Sequence, residues 1–182
     1  HRRIIVERES NQFDFSHDRI RENVYASMSP VTRPRLHLQI AQALEILYAS
    51  DLSEWHGQIA NHYQLAGELT SALPYFVEAV HITYSRRCAF NEALAIINRV
   101  LQFTDQLPET ETNLRHILTL CQTQYGAIRR TKGNTAPQLR EVIAHVSQLS
   151  KKVNDPAHEY MARLWTLHYY AYRAESIQAR TV

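Results

Sequence analysis

The chain has 182 residues, of which 45% are hydrophobic and 21% charged, values that are typical of a soluble globular protein. They argue against intrinsic disorder and against a membrane protein, and no apolar run reaches the roughly 20 residues that span a bilayer. Only 4 glycines and 6 prolines are present. So few turn-forming residues favour long helices over a turn-rich β fold.

The formal net charge of +2 is distributed unevenly. Residues 1–50 carry 7 basic and 6 acidic residues, residues 51–110 carry 3 and 7, and residues 111–182 carry 10 and 5. The basic residues of the last third are spread along predicted helices, so solvated helix ends account for them better than a nucleic-acid site does. We therefore do not expect nucleic acid to bind through this chain.

Two cysteines, Cys88 and Cys121, fall within helical patterns, and their spacing resembles neither a zinc site nor a disulfide framework. This indicates a reducing, cytoplasmic setting. The chain begins inside a patterned segment and without an initiator Met, so we expect it to be a piece of a longer protein.

The first elements in chain order are a hairpin and two helices. Residues 3–15 predict a small β-hairpin, because an apolar triplet, a polar run and an alternating Phe-Asp-Phe segment follow one another. A helix is expected from Ser16, a good N-cap residue, to about Ser27. A second helix is expected from about residue 33 to residue 49, where apolar residues recur at helical spacing.

From residue 51 onward the sequence matches the tetratricopeptide pattern, a unit of about 34 residues that forms two antiparallel helices. The small residues of this pattern let the two helices approach closely, and its glycine supplies a turn conformation that other residues adopt only with strain. With Ser53 as the first position, the six pattern positions are occupied in order by Ala60, Tyr63, Gly67, Ala72, Phe76 and Ala79.

The same register returns further along the chain. The residues that repeat the last five positions are Tyr84, Cys88, Ala93, Ile97 and Val100. Because the two hairpins overlap, we expect one long helix from about Ser71 to Cys88 that serves both. Pro74 is expected in its first turn, where a missing N–H costs little.

A degenerate hairpin follows, in which Gly126 and Gly133 are seven residues apart, as Ala60 and Gly67 are in the first hairpin. Residues 135–138, Thr-Ala-Pro-Gln, predict a capping box with proline just inside the next helix. Asp155 and Pro156 open the last helix in the same way, and it is expected to run to about residue 175 without a clear packing partner.

The last helix is rich in aromatic residues. We expect them to form core against the preceding hairpin or against a missing helix rather than a binding platform. They are Tyr160, Trp165, Tyr169, Tyr170 and Tyr172.

Together these patterns predict an all-α fold. Residues 51–182 are expected to form a tetratricopeptide-like stack of helical hairpins, a right-handed α-solenoid. Residues 1–50 form a separate N-terminal region with the short β-hairpin and linker helices.

Three N-terminal segments carry a family resemblance: residues 13–22 (FDFSHDRIRE), 27–30 (SMSP) and 35–45 (RLHLQIAQALE). They are similar to the junction of the winged-helix and repeat regions in signal-transduction ATPases with numerous domains, which are AAA-like bacterial regulators. The resemblance continues through the repeats and covers nearly the whole chain. The first segment, with the Leu-His helix downstream, is fairly distinctive, whereas the repeats alone are shared by many unrelated scaffolds.

The resemblance implies that residues 1–50 are the end of a partial winged helix. It also implies an upstream nucleotide-binding domain, ATP or ADP as the cofactor of the parent protein with none in this chain alone, and an output domain of DNA-binding, nucleotide-cyclase or protein-kinase type. It leaves open the formation of a homo-oligomer on activation.

Within that family, a His-Asp pair at the start of a winged-domain helix resembles a sensor whose histidine contacts the phosphates of ADP and holds the resting state closed. The resemblance assigns this role to His17 and Asp18. A helix N-terminus attracts anions, and an imidazole there adds a donor. The alternatives are that Ser16 caps the helix while His17 is an ordinary exposed residue, and that Asp18 complements the helix dipole or packs at a hinge.

No catalytic motif is present in the sequence. The glycines are too scattered for a phosphate loop, so we expect no nucleotide hydrolysis by this chain and do not predict an enzyme. His56 and His62 lie six residues apart, on different helix faces, and no H-E-x-x-H motif supports a metal site.

The remaining candidate surface is the concave face of the repeats. We expect Glu54, Asn61 and Gln64 to point from the first helix of the best hairpin and to contact a protein or peptide ligand. A solvated polar face is the alternative.

The sequence therefore predicts a non-catalytic regulatory fragment that senses a partner and restrains an ATPase switch. Two other functions stay open: a stand-alone tetratricopeptide scaffold for protein assembly, and a DNA-binding module built on the partial winged helix. The near-neutral charge of residues 1–50 argues against DNA binding, which needs a basic face.

Overall fold

The computed structural model describes residues 5–8, 12–15 and 18–178, and side chains within residues 18–174. Over these residues the chain is predominantly helical, as the sequence predicts. No helix in this part of the chain is both long enough and apolar enough to cross a bilayer.

A two-stranded hairpin precedes the helices. Its strands, β1 (Ile5–Arg8) and β2 (Gln12–Phe15), pair antiparallel, with Val6 opposite Asp14 and Glu7 opposite Phe13. The strand β2 contacts the first helix.

Eight α-helices follow within the described residues: α1 (Asp18–Ser27), α2 (Thr32–Leu47), α3 (His56–Ala66), α4 (Leu69–His81), α5 (Phe90–Leu101), α6 (Glu111–Lys132), α7 (Gln138–Lys152) and α8 (Pro156–Gln178). A π-helical turn (Ile82–Arg86) extends α4, and a 3₁₀ turn (Thr104–Gln106) follows α5. From α2 onward each helix packs against its successor, and α4 also contacts α6.

One apolar core runs along the helices, from Ala41 in α2 to Tyr169 in α8. Its largest fully buried side chains come from five consecutive helices, and each contributes roughly 1.5–3 kcal/mol by leaving water. They are Ile59, Leu73, Ile97, Leu118, Leu120 and Leu139.

The tetratricopeptide positions of the first hairpin lie in this core. The five side chains concerned are at most 8% exposed: Ala60, Tyr63, Ala72, Phe76 and Ala79. The remaining position, Gly67, ends α3 with φ +83°. The N–H of Gly67 donates to the carbonyl of Gln64, and the N–H of Glu68 donates to the carbonyl of Tyr63, which is the Schellman arrangement.

Cys88, which stands at the glycine position of the repeated register, also adopts positive φ, at +52°. Its neighbour Ala89 donates to the carbonyl of Thr83 at 3.0 Å, so the chain closes a wide turn before α5 begins. A non-glycine residue is strained in this region of φ/ψ space. Gly67 and Cys88 thus each have positive φ and each stand two residues before the next helix begins.

The long helix expected from Ser71 to Cys88 begins earlier and changes its winding. It starts at Leu69 and becomes π-helical from Ile82 onward. Pro74 is the sixth residue of α4, not a first-turn residue, so that expectation is wrong. A π turn adds a residue to each hydrogen-bonded ring, which leads the chain into the turn at Cys88.

The predicted capping box before α7 is wrong. The helix begins after Pro137, and no side chain caps its N-terminus. Backbone bonds replace the cap, since Leu139 and Arg140 donate to the carbonyls of Ala136 and Pro137. At α8 the prediction holds, because Oδ1 of Asp155 accepts the N–H of His158 at 3.1 Å.

Helix α8 has a packing partner, contrary to the expectation, because it packs against α7. The ring of Trp165 stacks on Tyr125 of α6, with 3.9 Å between centroids, and Tyr169 is 5% exposed. These two aromatic residues belong to the core, as predicted. The other three, Tyr160, Tyr170 and Tyr172, are exposed, so the prediction is wrong for them.

Candidate functional site

Helix α1 is joined to α2 by polar contacts and not by a buried apolar face. None of its side chains is buried. Nη2 of Arg33 in α2 donates to the carbonyl oxygen of Ala26 at 2.6 Å, and the guanidinium carbon lies 5.1 Å from the centroid of the Tyr25 ring. Hydrogen bonding and cation–π attraction thus hold the C-terminal turn of α1.

His37 of α2 is the centre of this attachment and is only 7% exposed. Its Nε2 lies 2.8 Å from the hydroxyl oxygen of Tyr25, and its Nδ1 lies 2.8 Å from Nδ1 of His62 in α3. A neutral imidazole has one donor and one acceptor, so the two hydrogen bonds must run in the same direction. These three residues, the junction network, connect α1, α2 and α3.

Both histidines are perturbed by their surroundings. Burial lowers the pKa of His37, and burial together with the neighbouring His37 lowers the pKa of His62. The rings are therefore mainly neutral at pH 7, which lets each of them donate and accept at once. If both rings carried a second proton, both Nδ1 atoms would be N–H donors pointing at each other, and the hydrogen bond between them would be lost.

A second polar contact joins α2 to α4. The hydroxyl of Tyr75 donates to Oε1 of Glu45, and the Tyr75 ring stacks on Tyr63 with 5.9 Å between centroids. Burial and Glu45 raise the pKa of Tyr63 to about 12, and the same causes raise the pKa of Tyr75. Both phenols therefore keep their protons at neutral pH, so the Tyr75 hydroxyl remains a hydrogen-bond donor to Glu45.

Of the predicted nucleotide-sensing pair, His17 lies outside the described residues. Asp18 is the first residue of α1, where an anion is favoured by the helix dipole. Its carboxylate pairs with Arg21 one turn later at 3.1 Å, and its side chain is 83% exposed. Asp18 thus faces solvent and is open to a ligand or to a neighbouring domain.

The three predicted interaction residues are placed differently from one another. Glu54 lies in the turn before α3, not in the helix as expected, and pairs with Arg87 at 2.8 Å. Asn61 accepts a hydrogen bond from Nη2 of Arg99 in α5 at 2.5 Å. Oε1 of Gln64 is buried and has no hydrogen-bond partner among the described residues. Two of the three, Glu54 before α3 and Asn61 within it, therefore contact arginines that follow α4 in the chain.

Glu54 also lines a cavity of about 180 Å³ between the start of α3 and the turn before α5. Its other walls include Gly57, Thr83, Arg87 and Glu92. The polar walls carry both signs of charge, which suits a polar peptide segment better than an apolar ligand.

Sequence reasoning misses the junction network. His37 and His62 are 25 residues apart, and although His37 lies in the segment 35–45 that carries the family resemblance, no motif pairs it with His62. One available signal is that His37 stands four residues before Ala41, on the face of α2 that is buried. A histidine at such a position needs polar partners, and Tyr25 and His62 supply them.

Within the described side chains, no group of three or more histidine, cysteine or acidic residues is placed to hold a metal ion. Cys121 is a buried free thiol whose pKa is raised to about 12 by burial, so it is not a reactive nucleophile. In comparisons with known proteins, no family model matches the chain, and neither a curated protein nor a solved structure shows significant similarity to it.

Proposed function

We propose that this chain is a non-catalytic regulatory and protein-interaction part of a multidomain signalling ATPase. In this proposal residues 1–50 are the end of a winged helix, and residues 51–182 are tetratricopeptide-like repeats in a right-handed stack that sense a partner or ligand. The supporting sequence evidence is the resemblance of residues 13–22 and of the following helices to such ATPases.

The observation that carries the proposal is the polar attachment of α1. This helix begins beside the proposed nucleotide-sensing pair, His17 and Asp18, and it buries no side chain of its own. Its contact with the helices behind it passes through Tyr25, His37 and His62. A joint made of hydrogen bonds can be broken and remade at low cost, whereas a buried apolar interface resists such changes.

The interaction role is supported by the region around α3. The buried repeat positions and the positive φ of Gly67 and Cys88 agree with hairpins that stack in a regular register. The cavity beside Glu54 and the polar contacts of Asn61 give one face of the helices a defined polar surface. We infer that a protein or peptide segment binds there and that binding is transmitted through α3 to the junction network.

In the same proposal, the nucleotide is bound by a domain upstream in a cytoplasmic parent protein. A phosphate held at the start of α1 would receive a donor from His17 and the positive end of the helix dipole. The chain by itself performs no hydrolysis, because it lacks the glycine-rich loop that cradles nucleotide phosphates.

The test is the rate of ADP release from the longer protein that contains the nucleotide-binding domain, measured with fluorescent ADP in stopped flow. We expect His17→Ala to increase the dissociation rate. The matched control is His81→Ala, which removes an exposed histidine from α4 and should leave the rate unchanged. Tyr25→Phe, which breaks the junction network, should also accelerate release.

Equal dissociation rates for all four proteins would contradict the nucleotide link and would favour the stand-alone scaffold. Faster release with His17→Ala but not with Tyr25→Phe would keep the sensing role and remove the coupling through α1.

A further inference from the structure

Two consecutive arginines, Arg129 and Arg130, lie near the C-terminal end of α6, and both are exposed. Together with Gly126 and Asn134 they line a cavity of about 260 Å³. Cations at a helix C-terminus are favoured by the helix dipole, and on that ground alone the two side chains would extend freely into water. The structure instead fixes both guanidiniums against aromatic rings.

Arg130 is held between two rings. Its guanidinium carbon lies 5.3 Å from the centroid of Tyr84 and 5.3 Å from that of Phe90, and its Nη1 donates to the hydroxyl oxygen of Tyr84. Tyr84 and Phe90 contact each other edge to face, with 5.3 Å between centroids. Cation–π attraction and a hydrogen bond therefore fix the guanidinium plane.

Arg129, which lines the same cavity, is held in a similar way. Its Nε donates to Oδ1 of Asn134 at 2.7 Å, and its guanidinium carbon lies 5.5 Å from the centroid of Tyr125. Tyr125 is itself fixed, since it stacks on Trp165. The second guanidinium is thus anchored to a buried ring of the core.

Neither guanidinium is neutralised. Among the residues with described side chains, no carboxylate lies within 4.0 Å of Arg129 or Arg130, whereas Arg87 and Arg163 each have one and Arg115 has two. Two positive charges are held in one cavity without a counter-ion from these residues. Such an arrangement costs repulsion, which a bound anion would relieve.

Gly126 is required for this geometry. A Cβ atom at this position would lie 2.5 Å from the hydroxyl oxygen of Tyr84 and 3.3 Å from the adjacent ring carbon. Any larger residue would push Tyr84 away and remove the hydrogen bond and the ring contact that hold Arg130. The glycine therefore lets the α4–α5 turn approach α6 closely enough to build the site.

We propose that this cavity is a binding site for a phosphate group, the basic site, formed by Arg129, Arg130 and Asn134. A phosphate monoester carries about −1.5 to −2 charges near pH 7, which matches two guanidiniums. Planar guanidiniums with fixed orientation bind phosphate oxygens in pairs, and little rotamer freedom is lost because the rings already hold them. The site does not depend on the link to an ATPase, because it is built entirely from residues of the helical region.

The experiment is a calorimetric titration of the 182-residue chain with three probes: inorganic phosphate, a short phosphoserine peptide and the same peptide without phosphate. We expect saturable binding of the two phosphate-bearing probes, and no binding of the third. Arg130→Ala and Arg129→Ala should each weaken binding by about tenfold or more, since each removes hydrogen bonds between charged groups.

Two further variants test whether binding depends on the site itself, and not on the overall positive charge or on a folding defect. Arg140→Ala removes one positive charge from the exposed surface of α7 and should leave affinity unchanged. Arg130→Lys keeps the charge but loses the planar donor set, and should still weaken binding while the circular dichroism spectrum stays that of the parent chain.

The relative affinities of the probes and variants support or overturn the site. Tighter binding of the phosphopeptide than of inorganic phosphate supports the site and identifies a phosphorylated protein segment as the source. Equal binding of the two supports the site with the phosphate group alone as the determinant. The absence of saturable binding, or equal loss of affinity in Arg140→Ala, would overturn it.

Discussion

Helices α1 and α4 are attached to the protein by different forces. Helix α4 buries five side chains in the common core, whereas α1 buries none and is held by Tyr25, Arg33 and the neighbouring histidine His37. Apolar burial is lost only when the core opens, but part-buried hydrogen bonds can be replaced by hydrogen bonds to water at a smaller net cost. We therefore expect α1 to open at a lower free-energy cost than α4, while the helices behind it remain folded.

The largest expected effect is on stability, when a buried side chain of α4 is truncated. Leu73→Ala in α4 should lower the free energy of unfolding by about 2–5 kcal/mol, because Leu73 is fully buried and its loss leaves a cavity. The same substitution at Leu47 in α2, which is 72% exposed, should change it by less than about 0.5 kcal/mol. Urea unfolding followed by circular dichroism measures both. Similar losses for the two variants would show that the stability of the chain does not depend on this core.

An effect of intermediate size on stability, with opposite signs, is expected when two glycines of the helical region are each replaced by alanine. Gly67→Ala should destabilise by about 1–2 kcal/mol, because φ +83° is strained for a residue with a Cβ. Gly57→Ala, inside α3, should stabilise by about 0.5–1 kcal/mol, because the new Cβ meets only Ala79 at 4.0 Å and alanine favours the helix. Thermal or urea unfolding of the pair checks the opposite signs. Stability changes of the same sign in the two variants would contradict the turn geometry that the repeat register predicts for Gly67.

The smallest expected effect is on the local stability of α1, when its hydrogen bond to His37 is removed. Tyr25→Phe removes one hydrogen bond of the junction network and should lower the protection of the α1 amides by about 0.5–1.5 kcal/mol, with little change in the core. Tyr160→Phe, at an exposed tyrosine of α8, is the control and should change neither. Amide hydrogen exchange resolves the two regions. Loss of protection throughout the chain would mean that α1 is part of the cooperative core after all.

The same network should respond to pH. The pKa values of His37 and His62 are lowered in the folded chain, so between those values and about 6.5 the unfolded chain binds more protons. The stabilisation is complete above about pH 6.5 and is lost as the pH falls towards the folded-state values. His116 and His145 shift in the same direction, so the α1 amides, and not global unfolding, give the specific measurement.

For the fold, sequence patterns are informative wherever the cause is local. Helices α1 and α2 begin and end within about two residues of the expected positions, and Gly67 takes the predicted turn conformation. The errors occur where neighbouring elements intervene. The π turn after α4 and the backbone-only start of α7 depend on how the chain is led into the adjacent hairpin, and helical periodicity carries no information about either.

For the candidate site, the sequence shows residue types but not their partners. Glu54 and Asn61 are recognisable as polar residues near or on α3, yet their attachment to Arg87 and Arg99 requires the packing of α5 beside α3. The proposed sensing role of His17 and Asp18 comes from the resemblance and stays a prediction.

By itself, then, the amino-acid sequence determines the helical class, the approximate limits of α1, α2 and α8 and the glycine turn at Gly67, because short-range periodicity and backbone sterics decide these. Only the tertiary structure brings Tyr25, His37 and His62 into one hydrogen-bonded chain. It also sets the two arginines of the basic site against rings contributed by other helices. Such contacts join residues that are distant in sequence, and they form only after the apolar core has fixed the spacing of the helices.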